Sequence, residues 1–419
     1  MSKTVVVIGQ GYVGLPLAQA AASSGYRVRG FDVSESVVAD LNAGVSHVDD
    51  LTDEAVAEMI AFGYRASSDP AVIAEADVVT ICVPTPLGED GGPDLTAVKA
   101  AARTVAENLT AGTLVVLEST TYPGTTEDVV LPILAASGLH HDDGFYLAFS
   151  PERVNPGFPE FGMRNTPKLV AGLTPAAAAR ATEFYEAFVD RVVVLSGLKE
   201  AETAKLLENT YRHVNIALVN EMARFCHDLD IDIWEVIRGA ATKPFGFHAF
   251  QPGPGVGGHC IPVDPNYLSH RVRTHLGYSF RLVELAQEIN TTMPRYVVER
   301  LAEVLNDRGR ALNGSEILLL GVTYKPDIAD LRGSPAIEVA KILKARHARL
   351  AFHDPYVPSL DLDGETIDGS DDLLAAAVRA DAVVLLQAHR AYDLALLADT
   401  AKVFFDTRGA ADGPGVVRL

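Results

Sequence analysis

The sequence predicts an α/β protein in which two doubly wound, Rossmann-like domains are joined by a central helical region containing a long helix. Two observations predict this fold class. Short β-branched runs alternate with alanine-rich helical stretches in the first half of the chain, and the alternation resumes near the C-terminus, after stretches with apolar residues at spacings of three and four. A chain of 419 residues is also too long for one ordinary core.

The N-terminal domain is predicted to span residues 1–198, with strands at 4–8, 27–31, 78–83, 114–117 and 145–149. The central region, 199–310, is predicted to contain one helix from 199 to about 228 and another from 280 to about 306. The C-terminal domain, 311–419, is predicted to have strands at 316–320, 349–352, 382–386 and 403–405.

The bulk composition excludes several classes of protein. The chain is 48% hydrophobic and 21% charged, and no uncharged apolar run reaches the roughly 18 residues of a membrane-span candidate. The N-terminus enters a strand pattern without a secretion signal, so we expect a cytoplasmic protein with no membrane partner. A net charge of −20 opposes a phosphate backbone, so nucleic acid is not an expected partner.

A glycine motif follows the first strand. Gly9-x-Gly11-x-x-Gly14 precedes a helical pattern, and Asp32 ends the next strand, the arrangement that holds a pyrophosphate and two ribose hydroxyls. NAD is favoured over NADP, because Asp32 would oppose a 2′-phosphate and no arginine follows it closely. The alternative is a turn that merely requires glycine. The predicted contacts of the cofactor here are Gly9, Gly11, Tyr12, Val13, Gly14 and Asp32.

Three further loops follow predicted parallel strands, where cofactor contacts are expected: VPTP at 83–86, ESTT at 118–121 and SPER at 150–153. Each is a candidate rim of the site. Each is equally consistent with ordinary loop chemistry, since proline, serine and threonine are common in turns.

The three cysteines are widely separated and odd in number, so neither a disulfide framework nor a metal site is expected. Cys82, in an apolar strand, and Cys226, on an apolar helix face, are predicted to be small buried residues. Cys260 instead follows glycines and prolines in PGPGVGGHCIPVDP, where a substrate can reach it and backbone amides could lower the pKa of its thiol. Cys260 is therefore a candidate nucleophile, whereas the adjacent His259 is predicted to be structural.

The spacing of Glu202, Lys205 and Asn209 places them on one face of the predicted long helix. Lysine and asparagine facing a pocket could stabilise a developing oxyanion. The alternative is a solvated helix face, which the spacing alone favours.

A nicotinamide cofactor and a nucleophilic cysteine together indicate oxidation of an alcohol beyond the aldehyde. Thiolate addition gives a thiohemiacetal that can lose a second hydride, and water activated by a carboxylate then releases the acid from the thioester.

These residues resemble the nucleotide-sugar 6-dehydrogenases, which oxidise the C6 alcohol of a UDP-sugar to a carboxylate with NAD. The resemblance covers nearly the whole chain and rests, in order, on GQGYVGLP, VPTP, ESTTYPGTT, SPERVNPG, KLLENTYRHVNIALVNE, PGPGVGGHCIPVDP and GVTYKPDIADLRGSP. It implies that the long helices pair two subunits, so a homodimer or a higher homo-oligomer is expected.

The resemblance also implies the roles of individual residues. The implied catalytic set is Cys260, Lys205, Asn209, Asp264, Glu152 and Thr120. In it, Cys260 is the nucleophile, Lys205 and Asn209 hold the oxyanion, Asp264 assists proton transfer through water, and Thr120 and Glu152 position or activate the hydrolytic water. The implied NAD contacts include Pro84, Thr85, Thr120 and Arg332 besides the glycine turn and Asp32. The implied substrate contacts are Glu152, Arg153, Val154, Lys205, Asn209, Phe250, Gly257, Tyr324 and Lys325, with the loop 250–257 closing over the UDP-sugar.

Two departures bear on the substrate. Members specific for UDP-glucose usually read like NPEFLREG where this chain has SPERVNPG, and they carry lysine where this chain has Val263. The chain is more similar to the branch acting on UDP-N-acetylglucosamine or UDP-N-acetylmannosamine. Arg153 could bind an acetamido or hydroxyl oxygen, or pair with a carboxylate such as Glu160.

The leading hypothesis is a four-electron UDP-N-acetylhexosamine 6-dehydrogenase that supplies a uronic acid for polysaccharide synthesis. UDP-glucose is the nearest rival substrate. Two other classes stay open: a two-electron dehydrogenase of the 3-hydroxyacid or 6-phosphogluconate type, and a catalytically silent dinucleotide-binding protein.

Overall fold

The computed structural model describes residues 3–48, 51–88, 91–141, 143–154, 161–258 and 261–419. The chain forms two compact units, one of residues 1–208 with 266–276 and the other of residues 209–265 with 277–419. The division into domains at residues 198 and 310 stays a prediction.

In the described part of the N-terminal unit, eight strands form one sheet in the order β3-β2-β1-β4-β5-β6-β7-β8. All neighbouring strands are parallel except β6 and β7. The strands are β1 (Thr4–Ile8), β2 (Arg27–Phe31), β3 (Arg65–Ser67), β4 (Val78–Ile81), β5 (Thr113–Leu117), β6 (Phe145–Phe149), β7 (Lys168–Gly172) and β8 (Val192–Val194).

The helices of this unit cover both faces of the sheet. Along β1, Val5 and Val7 belong to the core on one face, and Val6 and Ile8 belong to the core on the other. This burial on both faces explains why the strand is apolar throughout. The helices are α1 (Gly14–Ser23), α2 (Glu35–Asn42), α3 (Asp53–Ala61), a 3₁₀ helix (Pro70–Glu75), α4 (Thr96–Asn108), a π-helical turn (Thr126–Val130), α5 (Leu131–Ala135) and α6 (Pro175–Glu186).

The predicted central helices are present as α7 (Leu198–Asp228) and α10 (Arg281–Asn306). Between them lie α8 (Ile233–Ala241) and α9 (Asp264–Arg271), which runs into a π-helical turn (Val272–Leu276). Asp232 caps α8 by accepting hydrogen bonds from the amides of Trp234 and Glu235. The boundaries between the two compact units fall inside α7 and at α9 and its π-helical turn.

The C-terminal part of the chain contains a second parallel sheet, in the order β10-β9-β13-β14-β15. Its strands are β9 (Glu316–Leu320), β10 (Arg349–His353), β13 (Ala382–Leu385), β14 (Phe404–Asp406) and β15 (Val416–Arg418), and β11 (Ser359–Leu362) forms an antiparallel hairpin with β12 (Glu365–Asp368). Three helices accompany these strands: α11 (Pro335–Ala345), α12 (Leu373–Arg379) and α13 (Leu394–Thr400). The predicted fold class is confirmed.

Within the described residues, the structure contains no helix that is both long enough and apolar enough to cross a membrane.

Candidate active site

In the glycine turn after β1, only the middle glycine, Gly11, has open space where a side chain would lie. Gly9 has a φ of +87°, and a Cβ on Gly9 would lie 2.7 Å from the carbonyl oxygen of Cys82. A Cβ on Gly14 would lie 1.8 Å from the carbonyl oxygen of Gly9, whereas a Cβ on Gly11 would meet nothing within 4 Å. The first and third glycines therefore permit close packing, and the second faces open space that fits a pyrophosphate.

The N-terminus of α1 is suited to a negative charge. Val13 is its N-cap and supplies no capping hydrogen bond from its side chain. Tyr12 beside it is 39% exposed. Amides at a helix N-terminus attract the phosphate groups of a dinucleotide.

Asp32 lies directly after β2, beside the glycine turn. Its carboxylate accepts hydrogen bonds from the amide of Gln10 at 2.9 Å and from the amide of Ser34 at 2.9 Å. Two such donors fix the carboxylate at the carboxyl edge of the sheet. An acceptor held there suits ribose hydroxyls and disfavours a 2′-phosphate.

The loops that follow β4 and β5 are joined by hydrogen bonds. The hydroxyl of Thr85 donates to the carbonyl oxygen of Thr120 at 2.7 Å, and Ser119 donates to the carbonyl oxygen of Val83 at 2.6 Å. Tyr267 donates to the carbonyl oxygen of Thr85. The predicted rim loops with Pro84, Thr85 and Thr120 are thus neighbours, and Tyr267 is a support that sequence reasoning missed.

Glu152, after β6, is held by donors on both of its carboxylate oxygens. One oxygen accepts from the amide of Val154 at 2.5 Å, and the other lies 3.4 Å from Nζ of Lys168. Burial raises the pKa of the Glu152 carboxyl, but Lys168, the Val154 amide and Lys205 outweigh it, so the net shift of this pKa is downward. Glu152 is therefore favoured in its ionised form.

Behind Glu152, Lys168 contacts a second carboxylate. Nζ of Lys168 donates to Glu118, whose other oxygen accepts from the hydroxyl of Tyr185 at 2.8 Å. Burial is the largest effect on the Glu118 carboxyl and raises its pKa, while Lys168 opposes that rise. Sequence reasoning singled out neither Glu118 nor Lys168 individually.

Arg153 pairs with a carboxylate on α7. Its guanidinium lies 2.7 Å from the carboxylate of Glu208, and it donates to the carbonyl oxygen of Pro167 at 2.5 Å. The alternative partner, Glu160, lies outside the described residues.

The prediction that Glu202, Lys205 and Asn209 lie on a solvated helix face is wrong for two of these three residues. Glu202 and Asn209 are 1% and 4% exposed, and Lys205 is half-buried. The carboxylate of Glu202 accepts from the amides of Gly124 and Thr126, at 2.5 Å and 2.9 Å, and from the Thr126 hydroxyl at 2.7 Å. Glu202 therefore anchors the start of the π-helical turn, which explains its burial.

In the C-terminal unit, two members of the implied catalytic set are in contact. The side-chain amide of Asn209 donates to the carboxylate of Asp264 at 2.5 Å, and both side chains are buried. Cys260 and His259 lie outside the described residues. Cys82 and Cys226 are buried, as predicted, at 7% and 2% exposure.

Side-chain amides fasten the loop 250–257 to the helices. Oδ1 of Asn220 accepts from the amide of Gly253 at 3.0 Å, and its Nδ2 donates to Oδ1 of Asn290 at 2.9 Å. Asn290 in turn donates to the carbonyl oxygen of His213 at 3.2 Å. Phe250 packs against the apolar cluster of α7 and α8. Asn220 and Asn290 were not singled out from the sequence, because an asparagine inside a helix gives no signal of its distant partners.

The end of this loop packs against the turn after β9. A Cβ on Gly257 would lie 2.7 Å from Cβ of Tyr324, and the amide of Gly258 donates to the carbonyl oxygen of Arg332 at 3.1 Å. The guanidinium of Arg332 pairs with Asp330 at 2.6 Å. Three predicted contact residues, Gly257, Tyr324 and Arg332, are thus brought together.

Lys325 lies in the same turn, which a buried histidine supports. The carbonyl oxygen of Lys325 accepts from Thr323 at 2.9 Å, and Nδ1 of His389 accepts from the amide of Asp327 at 2.9 Å. Nε2 of His389 then carries the proton and donates to Asp354 at 3.0 Å. Asp354 directly follows β10, and His389 lies in the loop after β13, so the signal that could have found them is their place after strands of one parallel sheet.

A doubly wound sheet with this glycine turn, an uncapped helix behind it and an aspartate after the second strand defines the class of NAD-dependent dehydrogenases. Three domain profiles of one family match in order: the NAD binding domain at residues 3–189, the central domain at 199–292 and the UDP binding domain at 318–413. The chain belongs to the UDP-glucose/GDP-mannose dehydrogenase family and is an NAD-dependent nucleotide-sugar dehydrogenase. The predicted resemblance and cofactor are confirmed.

Relatives of known name match over most of their length. The UDP-N-acetyl-D-mannosamine dehydrogenase of Pyrococcus horikoshii is 36% identical over 377 residues, which cover 89% of this chain and 88% of that protein. The UDP-N-acetyl-D-glucosamine 6-dehydrogenase of Salmonella typhi is 38% identical over 363 residues, which cover 86% of this chain and 84% of that protein. The structure of UDP-D-ManNAc dehydrogenase from Pyrococcus horikoshii matches with a TM-score of 0.89 and 34% identity, over 99% of this chain and 98% of that one.

Proposed function

We propose that this protein oxidises the C6 alcohol of a UDP-N-acetylhexosamine to the uronate in two hydride transfers to NAD. The observation that carries the proposal is the hydrogen bond between Asn209 and Asp264. Asp264 lies four positions after Cys260 in the sequence, and the chain matches all three domains of the family. NAD, when bound, supplies the hydride acceptor for both oxidations.

Cys260 is the proposed nucleophile. Its thiolate adds to C6 of the aldehyde formed in the first oxidation, and the thiohemiacetal loses hydride from the same carbon to give a thioester. Water then attacks the thioester, the C–S bond breaks, and the thiolate and the uronate are released.

The other proposed catalytic residues stabilise the oxyanion at C6 or position the water that hydrolyses the thioester. Lys205 stabilises the developing oxyanion by charge, and Asn209 does so by hydrogen bonding. Thr120 and Glu152 position the hydrolytic water, and Glu152 accepts its proton. The downward shift of the Glu152 pKa supports this role, since only the ionised carboxylate can accept that proton.

The names of the two relatives and the departures from the UDP-glucose pattern at SPERVNPG and Val263 support an N-acetylated sugar. UDP-glucose is the rival substrate. In this proposal, Tyr324, Lys325 and the loop 250–257 contact the UDP-sugar, and Arg332 contacts NAD.

The test is NADH production by the purified protein with UDP-N-acetylglucosamine, UDP-N-acetylmannosamine and UDP-glucose. We expect an N-acetylated sugar to give the highest kcat/KM, with about two NADH formed per sugar consumed. A clear preference for UDP-glucose would contradict the substrate assignment. With Cys260→Ser we expect loss of acid formation, whereas a two-electron dehydrogenase would keep its normal turnover.

A second copy of this chain is the proposed partner. Within the described residues, α7 and α10 expose large apolar side chains that include Leu218, Phe225, Leu282 and Leu285, each more than half exposed. Solvent contact with such a surface is unfavourable, and an isologous contact between two copies would remove it. We expect light scattering to give a dimer or a larger assembly, Phe225→Asp to lower the mass, and the control Leu374→Asp on α12 to leave it unchanged.

A further inference from the structure

A buried cation lies between two carboxylates in the N-terminal unit. Lys168 opens β7, and its side chain is 3% exposed. Its Nζ contacts Glu118, which follows β5, and Glu152, which follows β6. A single ammonium group thus contacts two carboxylates in an interior where an unpaired charge is costly.

The two carboxylates differ in their surroundings. The side chain of Glu118 is completely buried and also accepts from the hydroxyl of Tyr185. The side chain of Glu152 is 15% exposed, and its contact with Lys168 is longer, at 3.4 Å. Glu118 is therefore the fixed partner of Lys168, and Glu152 is the partner that faces outward.

We propose that Lys168, held in place by Glu118, is a positioning residue that keeps Glu152 ionised and correctly oriented for its step with water. This inference rests on the proposed function, in which Glu152 accepts the proton of the hydrolytic water. Neither Lys168 nor Glu118 takes part in that proton transfer.

The charges around Glu152 support this reading. Burial alone would raise the pKa of its carboxyl, and Lys168 is the largest of the effects that lower it. Other groups that face this cluster are the thiol of Cys82 and the hydroxyl of Tyr185, whose pKa values burial raises, and the ammonium of Lys205. Because burial disfavours the charged forms of that thiol and that hydroxyl, removal of Lys168 would leave only the amide of Val154 and the ammonium of Lys205 among the groups that offset the burial of Glu152.

The pH profile of kcat at saturating NAD and UDP-sugar distinguishes positioning from mere structural support. For Lys168→Met we expect the acidic limb to move to higher pH by about one unit or more, because Glu152 then protonates more easily. With Lys168→Arg, we expect the acidic limb to lie at the same pH as in the unaltered protein, because the positive charge is kept. Glu118→Gln should leave the acidic limb in place or move it to lower pH, because the glutamine carbonyl oxygen can still accept from Lys168 while a negative charge near Glu152 is removed.

Two outcomes would overturn the inference. One is an acidic limb of Lys168→Met that coincides with that of the unaltered protein. The other is an acidic limb that moves in the same direction in Lys168→Met and in Glu118→Gln, which is the result that a general loss of packing would give. If Lys168→Met fails to fold, Lys168→Arg and Glu118→Gln decide: a limb moved to higher pH in either variant contradicts the inference.

A measurement without substrate keeps this inference separate from the proposed function. In protein labelled with ¹³C at the glutamate carboxyls, Glu152→Gln identifies the Glu152 resonance. We expect that resonance to titrate at higher pH in Lys168→Met than in the unaltered protein. An unchanged titration refutes the role of Lys168 even if the enzyme is active, and the expected shift supports the charge effect even if no UDP-sugar is oxidised.

Discussion

The side-chain amide of Asn209 donates to the carboxylate of Asp264 across 2.5 Å, and both residues are almost fully buried. Asn209 lies on α7, and Asp264 is the first residue of α9. The contact therefore joins two helices and keeps an acceptor near the position of Cys260 in the chain.

Replacing Asn209 by aspartate would place a second carboxylate against Asp264. Two buried carboxylates in contact cannot both ionise readily, so a pKa of the pair rises. A group whose pKa is raised in the folded state loses its contribution to stability as the pH rises through that pKa. We expect Asn209→Asp to lower the free energy of unfolding by about 1–3 kcal/mol near neutral pH and by less at acidic pH.

Urea unfolding of Asn209→Asp across this pH range is the measurement. The control is Asn215→Asp, also on α7, where the asparagine amide donates to the carbonyl oxygen of Tyr211 near the surface. A loss of stability that is the same at acidic and neutral pH would show that repulsion between the carboxylates is not its cause.

The glycine turn predicts opposite results for two alanine substitutions. Gly11→Ala places a methyl group in open space, so we expect normal stability but NADH binding weakened by about tenfold, or ~1.4 kcal/mol. Gly14→Ala forces a methyl group against the carbonyl oxygen of Gly9, so we expect a loss of about 3 kcal/mol or more in stability. Thermal unfolding and titration of NADH fluorescence measure the two effects, and unchanged binding by Gly11→Ala would contradict the assignment of the pyrophosphate site.

His213 predicts a loss of stability in acid. The side chain is completely buried, and burial lowers the pKa of its imidazole to about 4. Because the unfolded chain binds this proton near pH 6.5 and the folded chain does not, stability is present at neutral pH and is lost as the pH falls towards 4, by at most about 3 kcal/mol.

The measurement is the free energy of unfolding between neutral pH and about pH 4. We expect His213→Gln to remove part of the decline in acid, whereas the control His47→Gln, at an exposed position, should leave it unchanged. Parallel curves for His213→Gln and the unaltered protein would show that another group causes the acid effect.

The strands of both sheets were largely predictable from the sequence. β1, β2 and β6 have the predicted bounds, because each run stops at a residue typical of turns, which is Gly9, Asp32 or Ser150. β3, β8 and β15 were missed, since each has three residues at or near a sheet edge and little buried surface. β7 was missed because it begins with Lys168, a charged residue whose burial depends on distant partners.

The candidate site was predictable only where local sequence carries the chemistry. The glycine turn and Asp32 are recognisable from their spacing to a strand and a helix. The contacts of Lys168 with Glu118 and Glu152 join residues 50 and 16 positions apart, and no periodic pattern indicates such pairs. The role of Cys260 stays a prediction.

The amides of Asn220 and Asn290 form a chain with a fixed sense, in which each group accepts on one side and donates on the other. Turning either amide around would set two donors or two acceptors against each other, so a single orientation of both is compatible with the loop at Gly253. The order of this loop is thus coupled to residues on α10 that are remote from it in sequence. A substitution at Asn290 would therefore loosen the attachment of this loop to α7.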